Sequence, residues 1–154
     1  MQTQPVILNS QQIDSIIKSL NYPQFNEGIY LVKRKSVYAP LIKEHYGFVV
    51  SGRFLKFFNL SENKAKVINK NDSGVFADDF DPFSWQVVYK MPENEIPLAI
   101  LRTKLTLNDA YILLSDNCEH FARFVTTGRK ESSQVQNVAA LVGFVGLFIL
   151  ANNK

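Results

Sequence analysis

The sequence contains few of the residues that build disulfides, metal sites and imidazole clusters. Its 154 residues include one Cys, two His and one Trp. A single Cys excludes an intrachain disulfide and also a zinc site built on paired cysteines, so a reducing compartment is permitted. Only seven Gly and six Pro are present, which argues against a long disordered linker.

The charge of the chain is too small to indicate a nucleic-acid partner. Seventeen basic residues stand against 14 acidic ones, and no basic stripe or nucleic-acid motif accompanies this excess. The first residues, MQTQPVILNSQQ, lack the basic and apolar regions of a secretory signal, so we expect a cytoplasmic protein. What remains is an ordinary globular composition, 46% hydrophobic and 20% charged, in a chain long enough for one core.

Hydrophobic periodicity predicts a helix followed by a small antiparallel sheet. The helix spans 10–20, where apolar residues recur at helical spacing behind a capping Asn9 or Ser10. Short apolar runs rich in β-branched and aromatic residues then predict four or five strands. They lie at 27–32, at 45–58 as a hairpin turning at Ser51-Gly52, at 64–68 and at 85–90, with a turn at 69–74 and an acidic loop carrying Asp78, Asp79 and Asp81.

The second half of the chain predicts helices. One begins near Glu95 and keeps Pro97 in its first turn, where proline is tolerated. A short extended stretch at 110–114 precedes a second helix that runs through about Thr127 and ends at Gly128. Because strands come first and helices last, the sequence predicts an α+β fold.

Cys118 follows Ser115-Asp116-Asn117, whose side chains favour a helix N-terminus. A cysteine at such a position is expected to be nucleophilic, because the helix dipole and free N–H groups favour the thiolate. The alternative is an inert, buried small hydrophobe. Of the two histidines, His120 lies two residues further along the same helix and points to another face, so His45 is the better candidate base.

These residues resemble a known family. The run Asn117-Cys118-Glu119-His120-Phe121 is similar to the NCEHF signature of the lecithin retinol acyltransferase (LRAT)-like proteins. His45-Tyr46-Gly47 resembles their upstream histidine box. The resemblance covers about 25–135 and implies a circularly permuted papain-like (NlpC-type) fold, with 1–135 as the LRAT-like domain.

The resemblance also implies chemistry. It makes Cys118 the acyl-accepting nucleophile and His45 the general base, with Asn117, Glu119, His120 and Phe121 supporting the motif. Members of the family move a fatty acyl chain from a phospholipid to water, an amine or an alcohol through a thioester, so phospholipid is the implied substrate. Neither a metal nor an organic cofactor is required.

One departure leaves the activity open. Family members usually carry a second histidine twelve residues after the first, and this chain has Phe57 there. Asn59 is the candidate for the missing orienting residue if the strand continues to it, because strand side chains repeat every two residues. The alternatives are a catalytically impaired interaction module, as in some picornavirus 2A relatives, and a cysteine peptidase or amidase.

The segment 136–154 is predicted to contain an apolar C-terminal helix that is separate from the 1–135 domain. Residues 138–151, VAALVGFVGLFILA, are uncharged and apolar, but they are short for a full membrane span. Contact with a membrane surface, packing on the domain and an oligomer contact all remain open. We therefore expect a peripheral or tail-anchored protein, and the sequence leaves its oligomeric state undecided.

Overall fold

The computed structural model describes residues 26–36, 43–61, 64–110, 112 and 116–152, with the side chains of 138, 141 and 145–152 left aside. The predicted helix at 10–20 lies outside these residues. Most of the predicted extended stretch at 110–114 does as well, and only the bridge between Ile112 and Asp116 is described there.

The sheet has five antiparallel strands in the order β4-β3-β2-β1-β5, which confirms the α+β class and the predicted type of sheet. The strands are β1 (Gly28–Lys35), β2 (Glu44–Ser51), β3 (Lys66–Asn71), β4 (Gly74–Asp79) and β5 (Gln86–Lys90). Along the chain β1 to β4 form a meander, and β5 returns to pair with β1.

The predicted hairpin at 45–58 is only half correct. Its first strand forms, but Gly52 takes a positive φ of 64° and the chain enters a 3-10 helix, Gly52–Phe58, instead of a second strand. The helix places both Phe54 and Leu55 in the core, whereas adjacent residues of a strand would face opposite sides. Burial of two neighbouring apolar side chains therefore favours the helix.

The predicted turn at 69–74 is shorter in the structure. Strand β3 continues to Asn71, the chain reverses at 72–73, and β4 carries Asp78 and Asp79, which the sequence placed in a loop, whereas Asp81 follows the strand as predicted. Pairing along the whole of β3 and β4 overrides the preference of Asn and Asp for turns.

A short 3-10 helix, Glu93–Glu95, and three α-helices follow the sheet: α1 (Ile96–Thr106), α2 (Cys118–Thr127) and α3 (Ser133–Asn152). Phe121 and Val125 of α2 pack with Phe48 of β2 and Ala99 of α1 in the main core. A second cluster lies on the other face of the sheet and contains Tyr30, Val32, Val49, Val67 and Trp85. The start of α2 is therefore held against β2 near the edge of the core.

None of the helices in the described residues is both long enough and apolar enough to cross a membrane. Helix α3 nevertheless exposes Val142 and Phe144.

Candidate active site

Cys118 is the first residue of α2, as the sequence predicted. Asn117 caps the helix, and its Oδ1 accepts the backbone N–H groups of Glu119 at 3.0 Å and His120 at 3.1 Å. The backbone N–H of Asn117 in turn faces Nδ1 of His120 at 3.5 Å, which completes a capping box. Asn117 and His120 thus fix the start of the helix that carries the cysteine.

The thiol of Cys118 is almost completely buried, with 2% of the residue exposed. Burial raises the pKa of Cys118, and the backbone N–H groups of Tyr46, Glu119 and Cys118 itself only partly oppose this effect. The expected preference for thiolate at a helix N-terminus is therefore outweighed by desolvation. At neutral pH the resting sulfur carries its proton.

The thiol meets β2 where that strand is no longer paired with β3, although β1 still pairs with it on the other side. Pairing between β2 and β3 runs from Val50 with Lys66 to Gly47 with Asn69 and does not continue to Tyr46. The backbone N–H of Tyr46, beyond the last pair, faces the sulfur of Cys118. Because this nitrogen is bonded to the carbonyl carbon of His45, the thiol lies next to the backbone of the residue that carries the imidazole.

His45 has an amide partner on the neighbouring strand. Its Nε2 lies 3.1 Å from Oδ1 of Asn69, and Nδ2 of Asn69 donates to Oδ2 of Asp78 at 3.2 Å. A carboxylate only accepts hydrogen bonds, so the Asn69 amide must turn its nitrogen to Asp78 and its oxygen to His45. His45 Nε2 therefore carries the hydrogen, and Nδ1 of the neutral ring keeps its lone pair.

Burial keeps this imidazole neutral. It lowers the pKa of His45, and the charge of Arg34 lowers the pKa further, whereas the hydrogen bond to Asn69 and the charge of Asp78 raise it without reversing the shift. The ring also lies beside Trp85, with 5.7 Å between ring centroids. A neutral imidazole with an unprotonated Nδ1 has the form that a general base requires.

The two halves of the site do not touch in this structure. Among the described residues, no hydrogen bond joins the thiol of Cys118 to the ring of His45, whose hydrogen-bond partner is Asn69. The imidazole lies on the face of the sheet that carries Trp85, whereas α2 packs on the opposite face. The thiol of Cys118 lies at the edge of the sheet, between these two faces.

Asn59 is not on the strand of His45. It follows the 3-10 helix with a φ of 57°, in the left-handed region. With Phe57 it lines an apolar pocket of about 220 Å³ between the 3-10 helix, β3, β4 and α1. The amide that meets the imidazole belongs to Asn69 instead.

Glu119 links the cysteine helix to the next helix. Its side chain is fully buried, and its carboxylate accepts hydrogen bonds at 2.6 Å from Ser132 and 2.8 Å from Ser133. Arg123 donates to it at 2.9 Å, and the backbone N–H of Gln134 at 3.3 Å. Burial alone would raise the pKa of Glu119, but these hydrogen bonds lower it to about 2.

Sequence reasoning missed Asn69, Asp78 and the partners of Glu119. Asn69 and Asp78 lie in a polar stretch that is typical of turns and loops, so only strand pairing reveals them. Period-2 alternation offered one signal, because Val67 and Asn69 share a face of β3 while Ile68 and Lys70 share the other.

In the part of the chain that the structure describes, no cluster of His, Cys, Asp and Glu side chains could hold a metal ion. No family model and no curated protein matches the sequence.

Proposed function

We propose that this chain is a thiol-dependent acyltransferase or phospholipase that acts on phospholipid acyl esters at a membrane surface. Cys118 is the nucleophile, His45 the base and Asn69 the orienting residue. The hydrogen bond between His45 Nε2 and Asn69 Oδ1 carries the proposal, because it leaves Nδ1 of the neutral ring as the proton acceptor, on the residue that precedes the backbone N–H facing the sulfur. Cys–His–Asn is a known variant of the catalytic triad.

The proposed reaction has two steps. The sulfur of Cys118 attacks the ester carbonyl while His45 Nδ1 takes the thiol proton. The lysophospholipid oxygen leaves with that proton, and a thioester remains on Cys118. Water, an amine or an alcohol then gives its proton to His45 and attacks the thioester, which restores the thiol and transfers the acyl group.

The resting pair is a thiol and a neutral imidazole, so proton transfer must accompany attack. The two groups must therefore close to hydrogen-bond distance when substrate binds, as catalytic contacts often do. The backbone N–H of Cys118, at the start of α2, is a donor for the developing oxyanion.

Phospholipid is favoured over peptide as the substrate by α3 and by the resemblance to LRAT-like proteins. Val142 is 65% exposed and Phe144 is 71% exposed on this helix. Apolar side chains of this size suit contact with a lipid surface, where burial from water is favourable. We propose that α3 contacts the membrane surface without crossing it. The papain-like arrangement of the fold is part of the same proposal.

Trapping of the acyl-enzyme tests the proposal. After incubation with phosphatidylcholine vesicles, mass spectrometry of the intact protein should find an acyl adduct on the wild type and none on Cys118→Ala. A matched peptide ester should give little adduct. Asn59→Gly is the control, since glycine accepts its positive φ, and it should be acylated like the wild type.

A second candidate function is a non-catalytic binding module. It is favoured by the burial of the thiol, its raised pKa and the lack of a hydrogen bond to His45 in the described structure. A folded wild type that gives no adduct with any acyl ester would support the module and contradict the proposed enzyme.

The role of Asn69 gives a separate prediction. Asn69→Ala frees the imidazole to rotate and change tautomer, so kcat should fall about tenfold to hundredfold, as small misplacements of catalytic groups do. Steady-state kinetics should show a fall in kcat with little change in KM, and Asn59→Gly should match the wild type. Equal losses in the two variants would contradict the assignment of Asn69.

A further inference from the structure

The start of β2 has a partner that is not a strand. Beyond the last pair with β3, the backbone of Glu44 bonds to the side chain of Gln134, from the first turn of α3. The N–H of Glu44 donates to Oε1 of Gln134 at 3.1 Å, and Nε2 of Gln134 donates to the carbonyl of Glu44 at 3.0 Å. The amide thus makes the two hydrogen bonds that one residue of a neighbouring strand would make.

Gln134 is itself fixed by the cysteine helix. Its backbone N–H lies 3.3 Å from Oε2 of Glu119, and its Nε2 lies 3.4 Å from the same oxygen. Glu119 directly follows Cys118, and Glu44 directly precedes His45. One amide therefore spans the two segments that carry the nucleophile and the base.

We propose that Gln134 is a positioning residue for the reaction, and this inference rests on the proposed function. It holds the backbone before His45 in register with the backbone after Cys118, so the thiol and the imidazole can close on each other. It also ties the first turn of α3 to the site, although Gln134 touches neither reacting group.

The test replaces the amide without removing its volume. Gln134→Met keeps the length of the side chain and removes its hydrogen bonds, and Gln134→Ala is a second variant in case methionine packs poorly. Gln136→Met is the matched control, because Gln136 lies in the same helix and is exposed. Thermal unfolding first establishes that each variant is folded.

Two measurements then report on positioning. In Gln134→Met, kcat for vesicle phospholipid should fall about tenfold or more with KM nearly unchanged, because a misplaced base affects the reaction and not binding. The amide of Glu44 should lose protection from hydrogen exchange, and the imidazole resonances of His45 should shift. Gln136→Met should change none of these quantities.

The outcomes separate this inference from the proposed function. If the wild type forms no acyl adduct, the proposed enzymatic function is disproved. The His45 resonances and the hydrogen exchange of the Glu44 amide in Gln134→Met then decide by themselves whether Gln134 positions the strand. If wild type is active and a folded Gln134→Met keeps both its kcat and the His45 resonances, the positioning role is overturned.

Discussion

Replacement of His45 by alanine is expected to lower the rate of thioester formation by about a thousandfold or more, since loss of the base in a catalytic pair removes most of the chemical acceleration. The effect should be large because burial holds Cys118 in its protonated form. In the proposed reaction, His45 is the group that takes this proton. The residual reaction should depend on hydroxide and rise with pH.

Rapid-quench measurements of acylation against pH test this expectation. Because the pKa of His45 is lowered by burial, the wild-type rate should already be level at pH 7, where the ring is neutral. His45→Ala should show no plateau in that range. His120→Gln is the control, because His120 serves the capping box of α2. If His120→Gln lowered the acylation rate more than His45→Ala did, His120 and not His45 would be the base.

Removal of the Glu119 carboxylate should cause the largest loss of stability. The pKa of Glu119 falls from 4.5 to about 2 in the folded protein. Each pKa unit corresponds to ~1.4 kcal/mol, so the charged carboxylate contributes about 3 kcal/mol to folding at neutral pH. Glu119→Gln should reduce the free energy of unfolding by a similar amount, since an amide cannot accept all of the hydrogen bonds that the two carboxylate oxygens accept from Arg123, Ser132, Ser133 and Gln134.

The sign of the pH effect follows from the lowered pKa. Stabilisation is fully present above about pH 4.5, the value for the unfolded chain, and is lost as the pH falls towards about 2. Urea unfolding at pH 7 and pH 3 should therefore show a large acid-induced loss in the wild type and a smaller one in Glu119→Gln. Glu131→Gln, at an exposed position, is the control. Equal acid sensitivity of Glu119→Gln and the wild type would disprove this contribution.

The parts of the fold that the sequence predicted best are those set by local chemistry. Asn117 caps a helix whose first residue is Cys118, and Gly128 ends it with a φ of 77°. Both features follow from side-chain and backbone preferences within a few residues. Strands β1 and β5 were also found, as their runs of β-branched and aromatic residues are short and bounded.

The hydrogen-bond partner of His45, which we propose as its orienting residue, could not be predicted from the sequence, because it depends on the path of the chain between two strands. A tight hairpin after His45 would bring position 57 back to the imidazole. The inserted 3-10 helix, Gly52–Phe58, occupies that position, and β3 returns later. Asn69, paired with Gly47, then takes the place beside the ring, which only the strand register reveals.

The burial of the Cys118 sulfur should also affect how fast it is oxidised in the cell. Peroxide reacts with exposed thiolates, and Cys118 is neither exposed nor ionised at rest. The idle protein should therefore tolerate oxidants that inactivate enzymes with open, ionised cysteines. In the proposed reaction the sulfur must become accessible during turnover, so oxidative damage should increase with the number of turnovers and not with the age of the protein.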